Sequence, residues 1–233
     1  MLMDAKGAAP HTLTPSLQVV GIDGGSAGEE RGPSRGSAPA QGGAIVGRTP
    51  PGPPHAAHAP READSLMMLL RRYPVMWQGL LALKNDAAAV QMHFVHGNPA
   101  VASHTLPSNG DGSTPPLRIA QRMRLEPVQL EAVARKMQLE NEHCMLLALP
   151  CGRDHLDVLQ QSTHLTGGFI TYLRRKQAAG IVNVAPPGHH QPLYTVHIFP
   201  SCDFANENLE RIAPDLLHRV ADIAHLLIVI ATV

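Results

Sequence analysis

Residues 74–97 read PVMWQGLLALKNDAAAVQMHFVHG. Both halves of this stretch are apolar and strand-like, and the Asn85-Asp86 pair between them is turn chemistry, so the stretch predicts a β-hairpin. On its N-terminal side, Asp64 or Ser65 is placed to cap a helix over residues 66–72, which the residue before Pro74 should end. On its C-terminal side, residues 99–105 are expected to form a short helix, and PSNGDGSTPP a loop. Residues 117–125 form the next strand. Pro127 then opens a helix, EPVQLEAVARKMQLE, whose Val128, Leu130, Val133, Met137 and Leu139 approximate an apolar stripe. HCMLLALP is a short buried strand by its continuous apolar run. The stretch 154–180 is expected to be the longest helix, with Leu156, Leu159, Phe169, Ile170 and Leu173 facing inward and a bend allowed at Gly167-Gly168. IVNVAP and PLYTVHIFP are two strands around PPGHHQ. A last helix over 204–220, interrupted near Pro214, leads into a final strand, HLLIVIATV.

About seven strands and at least four helices follow, with two hairpins separated by helices. Regular strand–helix–strand alternation is lacking, so the fold class expected is α+β, mixed or barrel-like, rather than a doubly wound parallel sheet. Composition places the folded part. All eight aromatic residues lie between Tyr73 and Phe204, whereas residues 1–65 hold 20 of the 41 glycines and prolines and no hydrophobic periodicity. Residues 1–63 are therefore read as a disordered linker and 64–233 as one domain. Nineteen basic and nineteen acidic residues give zero formal charge, which argues against a binder of nucleic acid or membrane by bulk charge. No apolar run has the ~18 residues of a membrane span, and the N-terminus has no signal-peptide core. Cys144, Cys151 and Cys202 fit no zinc spacing and are read as reduced structural thiols in a reducing compartment.

The stretch with chemical information is LRIAQRMRL, residues 117–125. Strand periodicity puts Arg118, Ala120, Arg122 and Arg124 on one face and Ile119, Met123 and Leu125 on the other, with Gln121 the exception. Three guanidiniums on one strand face, with no acid between residues 112 and 125, repel one another unless something anionic pairs with them. That partner is either the fold's own carboxylates, such as Glu126 or Glu131, or an external anion, and both readings stay open. Tyr172 and Lys176, four apart on a helix, offer a hydroxyl and a point charge, with Arg174 and Arg175 beside them. The competing reading is a helix end whose cations complement the macrodipole. Lys84 beside the hairpin turn is a further candidate. His189-His190 as a metal contact and Cys151 with His155 as a catalytic pair are weaker. No phosphate-binding loop, dinucleotide fingerprint or hydrolase motif is present.

The runs YPVMWQGLLALKNDAAAVQMHFVHGN, PLRIAQRMRLE, LLALPCGRD, FITYLRRKQAAGIVNV and LIVIATV, in that order over residues 64–233, closely resemble the SPOC domain, the carboxy-terminal domain of split ends (Spen/SHARP-type) proteins. The resemblance implies a distorted seven-stranded β-barrel decorated with helices. It implies a nuclear corepressor module without catalysis or cofactor, which docks acidic, serine-phosphorylated peptides. Those of the SMRT and NCoR corepressor tails bring histone deacetylases, and relatives bind phosphorylated RNA polymerase II tails and methyltransferase complexes. The family's basic patch corresponds here to Lys84, Arg118, Arg122, Arg124, Tyr172 and Lys176. Split ends proteins also carry RNA-recognition motifs. Nothing in residues 1–65 resembles one, so this chain is expected to be a fragment, the product of an incomplete gene prediction or a truncated form, and RNA binding by the same basic face is kept as the alternative.

Overall fold

The computed structural model describes residues 62–108, 113–185 and 191–233. The linker reading for residues 1–61 and the His189-His190 pair lie outside them.

The sheet begins with the predicted hairpin, β1 (Val75–Leu83) and β2 (Asp86–Gly97). Its turn is Lys84-Asn85, one residue earlier than expected, because Leu83 pairs with Asp86 and draws the acid into the strand. Lys84 takes the left-handed conformation that this tight reversal needs, at φ 55°. The next strand is not continuous as predicted. Leu117–Arg118 (β3) lies parallel to β1, whereas Gln121–Arg124 (β4) lies antiparallel to β6 (Ala178–Val184). With β5 (His143–Pro150), β7 (Tyr194–Phe199) and β8 (Leu226–Thr232), the order is β3-β1-β2-β5-β8-β7-β6-β4. The two edge strands are thus halves of one segment. At their junction the Ile119 N–H donates to the Ala82 carbonyl on one side (2.8 Å), and the Ala120 N–H to the Ile181 carbonyl on the other (3.2 Å). Successive amides of an extended chain point to opposite sides, so this segment joins both edges of the sheet and curls it into a distorted barrel. Counting β3 and β4 as one strand gives seven. The mixed, helix-decorated α+β architecture is therefore as expected.

The central strands β5 and β8 are buried on both faces. Cys144, Leu146, Ala148, Leu226, Ile228 and Ile230 contribute to one apolar cluster, together with the inner residues of the other strands. Met145, Leu147, Leu149, Leu227 and Val229 belong to the second. This two-sided burial explains why β5 and β8 read as unbroken apolar runs rather than as alternating ones. Four helices cover the second cluster: α1 (Glu62–Leu70), α3 (Pro127–Met137), α6 (Asp203–Ile212) and α7 (Pro214–Val220). Helix α1 starts before the predicted cap, since Glu62 and Ala63 are good helix formers. Pro214 divides α6 from α7 as anticipated. Helix α2 (Pro99–Thr105) has Asn98 as its N-cap, the side chain accepting from the Ala100 N–H at 3.0 Å.

The long helix forms over α4 (His155–His164), a π turn (Leu165–Ile170) and α5 (Thr171–Arg175). It stops short of Gly180 because residues 178–180 are claimed by β6. Two predicted inward residues, Leu156 and Leu159, are exposed; Val158 and Leu165 take the interior instead, with Phe169, Ile170 and Leu173. In α3, likewise, Val133 and Met137 are buried while Val128 is exposed; Leu139, also exposed, lies past the helix, which ends at Met137 rather than running on to Glu140. In both helices the buried stripe is narrower than the apolar pattern, because the helix rests on the sheet along a single line of contact. Among the described residues no helix is long and apolar enough to cross a membrane.

Candidate anion-binding face

The alternation read from residues 117–125 holds across the break between β3 and β4. Arg118, Ala120, Arg122 and Arg124 are exposed, Leu117 and Ile119 are buried, Met123 and Leu125 are half-buried, and Gln121 is exposed. Ile119 at the crossing lies against Gly180, where a β-carbon would come within 2.9 Å of its Cδ1. The cationic side chains are thus anchored from below by apolar ones.

Three elements bring their charges to this face. Arg118 is fixed first. The β1–β3 pairing sets it beside Ala82, and its Nη1 donates to the Lys84 carbonyl at the hairpin tip (3.1 Å). Lys84 in turn extends over Tyr172, its Nζ 4.5 Å from the ring centroid. Arg122 approaches the same ring, with Cζ 5.4 Å from the centroid. Tyr172 is therefore approached by two cations, one from the β1–β2 turn and one from β4. Each such contact is worth about 0.5–1 kcal/mol at an exposed site, enough to orient the side chains but less than a desolvated ion pair. The ring is held in place from behind, since Leu165, Phe169 and Leu173 of the same helical run are fully buried.

Arg124 and Lys176 lie at the other end. The Lys176 N–H closes the last helical turn onto the Tyr172 carbonyl (3.1 Å). Gln177, at φ 44°, then reverses the chain, and its carbonyl accepts from the Leu125 N–H (2.9 Å). This ties the end of the arginine segment to the end of the helix. Here a carboxylate of the chain itself intervenes, as Arg124 Nη1 sits 3.3 Å from Glu126 Oε1. Both side chains are mostly exposed, at 81% and 57%, so the pair contributes only ~0–1 kcal/mol. Among the described residues, no acid lies within ion-pair distance of Lys84, Arg118, Arg122 or Lys176. Internal neutralisation therefore applies to one guanidinium of the three.

Two neighbours were not singled out in the sequence. Arg175 was noted only as flanking charge. It lines a cavity of about 210 Å³ with Lys84, Asp86, Gly167, Gly168, Thr171 and Tyr172. Its spacing of three from Tyr172 was the available signal. Asp86, read as a turn residue, is the acid at that cavity's edge.

The other candidates have different surroundings. Cys151 is buried, and burial pushes its thiol up to about 11, with nearby Asp157 adding to the rise. A nucleophilic thiol needs the opposite shift. Cys144 is pushed up to about 12, again chiefly by burial. All three thiols are free. Among the described residues no group of three or more His, Cys, Asp or Glu side chains is arranged to hold a metal ion.

The SPOC domain family model matches residues 68–233. Over 177 residues the chain is 73% identical to Protein split ends of Drosophila melanogaster, covering 76% of this chain and 3% of that protein. Over 169 residues it is 59% identical to the human Msx2-interacting protein, covering 72% of this chain and 5% of that one. Against the solved SPOC domain of human PHD-finger protein 3, the TM-score is 0.40 at 10% identity, covering 69% of this chain and 98% of the other. The chain thus spans a small fraction of the length of the curated relatives it matches. It belongs to the SPOC domain family, the protein-interaction modules of Spen-type proteins.

Proposed function

We propose that the face built by Lys84, Arg118, Arg122, Arg124, Tyr172 and Lys176 docks acidic, serine-phosphorylated peptides. The observation that carries this reading is the Tyr172 ring flanked by Lys84 and Arg122, with no carboxylate among the described residues in ion-pair reach of either. A phosphoserine brings close to two negative charges and three acceptor oxygens. Each charge-assisted hydrogen bond to it is worth roughly 1.5–3 kcal/mol, so two or three give micromolar binding from a short segment. The natural partners on this reading are corepressor tails of the SMRT and NCoR type, through which histone deacetylase complexes are recruited in the nucleus. Phosphorylated RNA polymerase II tails and methyltransferase complexes are the other candidates of the same chemistry.

A single-stranded nucleic acid would require open aromatic faces for base stacking. Tyr172, the aromatic residue on this face, already has two cations against its ring, which favours a compact anion over a stacked base.

The test is a titration of a serine-phosphorylated corepressor-tail peptide against the wild-type domain and the Arg122→Ala/Arg124→Ala variant. The expected result is a loss of about a hundredfold in affinity, with thermal stability nearly unchanged. Retained affinity in the variant, or equal binding of the unphosphorylated peptide, rejects the assignment. Tighter binding of a labelled RNA than of the phosphopeptide would transfer the face to nucleic acid.

A further inference from the structure

The π turn is the least expected piece of backbone in the fold. A π turn holds one residue more per turn than an α-helix, is rare, and recurs at functional sites. This one contains Gly167-Gly168 and ends one residue before α5, which carries Tyr172. The two glycines have opposite surroundings. A β-carbon on Gly167 would meet nothing within 4 Å. A β-carbon on Gly168 would come within 2.9 Å of both Cβ and Cγ of Asp86. Asp86 opens β2 directly after the hairpin tip, and its Cβ is tied to a paired strand, so it cannot swing aside as the end of a long side chain does. The helical run therefore rests on the hairpin at Gly168. Four residues on, Tyr172 meets Lys84 from that same hairpin. Lys84 holds its ammonium there from a left-handed backbone conformation that costs a lysine roughly 1–2 kcal/mol.

We infer that Gly168 is a positioning residue for the basic face: its missing side chain seats the π turn on Asp86 at the spacing that lets Lys84 lie over Tyr172. The inference rests on the reading of this face as an anion site, but the geometry it asserts is measurable without any ligand. Lys84 side-chain protons above an aromatic face are shifted upfield by the ring's magnetic field. The wild-type domain should show that shift for the Lys84 ε-methylene.

The experiment compares Gly168→Ala with Gly167→Ala by NMR and by phosphopeptide titration. Alanine is the better helix former, so local helix propensity favours both variants. Gly167→Ala should retain the upfield signal and bind within about twofold of wild type. Gly168→Ala should move the Lys84 signal toward its free value and bind the phosphopeptide about tenfold more weakly, the loss of one charge-assisted hydrogen bond from a Lys84 no longer held over the ring. Asp86→Gly, which empties the other side of the contact, is measured alone and combined with Gly168→Ala; because it also removes the acid at the cavity's edge, the double variant should match Asp86→Gly alone in affinity and recover the Lys84 signal. Only that rescue relative to the single variant is a coupling, which general destabilisation does not produce. An unchanged Lys84 signal in Gly168→Ala, or no rescue in the double variant, overturns the inference. If the upfield shift moves and is rescued as described while wild type binds phosphorylated and unphosphorylated peptide alike, Gly168 positions the face and the peptide assignment fails instead.

Discussion

Strand β5 and the segment 117–125 lie in one sheet and have opposite uses. In β5 all eight residues are buried, and alternate side chains feed two different apolar clusters. In the segment 117–125 one side is apolar and anchored while the other holds three exposed guanidiniums. The first supplies stability through area removed from water. The second supplies none that needs three aligned arginines, since exposed charge contributes little to folding. The molecule thus places its stability and its proposed recognition chemistry on different strands, and a substitution in one should leave the other nearly untouched.

The largest effect expected is on the β5 side. Leu146→Ala removes a fully buried side chain and should cost about 2–5 kcal/mol of stability, seen as a lower urea midpoint, while the folded fraction binds phosphopeptide normally. A parallel loss of affinity would show the two regions to be coupled. Next is the arginine segment itself, dissected one residue at a time. Arg122→Ala should weaken phosphopeptide binding more than Arg124→Ala, because Arg124 already shares Glu126 whereas Arg122 contacts Tyr172. Isothermal titration with the two single variants orders them, and the reverse order would move the centre of the site toward Lys176.

Acid separates the regions again. His93, His197 and His225 are held below the ordinary imidazole value, chiefly because burial penalises the imidazolium, with backbone carbonyl hydrogen bonds opposing. The unfolded chain therefore binds protons near pH 6.5 that the folded chain refuses. Their stabilisation is complete above about pH 6.5 and is lost as pH falls from there through the depressed folded values. The slope reaches at most about 1.4 kcal/mol per pH unit for each histidine. Urea unfolding at pH 7.5 and 5.5 should show the drop. Phosphopeptide affinity should fall over the same range only through protonation of the phosphate itself, near pH 6. The smallest effect is at Glu126. Its replacement by Gln frees Arg124 and should raise affinity by about twofold, since an exposed pair is worth well under 1 kcal/mol. No gain at low salt would show that the pair does not compete with the ligand.

Much of this contrast was legible before any coordinates. The apolar runs in β5 and β8, the hairpin at 75–97 and the break at Pro214 follow from local pattern, because burial on one or both faces is written into residue order. The two-residue period of 117–125 correctly put the arginines on one face. Other expectations failed where a neighbour distant in sequence decided the outcome. Leu156, Leu159 and Val128 are apolar yet exposed, because contact with the sheet is narrower than the stripe, and Leu139 lies beyond the end of α3. The entry of Asp86 into a strand is instead local, since the turn closes on Lys84-Asn85 with Leu83 paired to Asp86. The helix over 154–180 lost its end to β6 and changed to a π turn at Gly167-Gly168.

By itself, then, the order of residues determined the α+β class, the buried strands and the alignment of Arg118, Arg122 and Arg124, all of which depend on periodicities of a few residues. Tertiary structure alone decided that the arginine segment leaves β1 and joins β6 between Ile119 and Ala120, that Lys84 reaches Tyr172 across 88 positions of chain, and that, among the described residues, Arg118 and Arg122 meet no carboxylate of the chain. The physical reason is range. Side-chain alternation is a property of neighbouring residues, whereas closure of a barrel and the convergence of like charges arise only when segments far apart in the chain are packed against a common core.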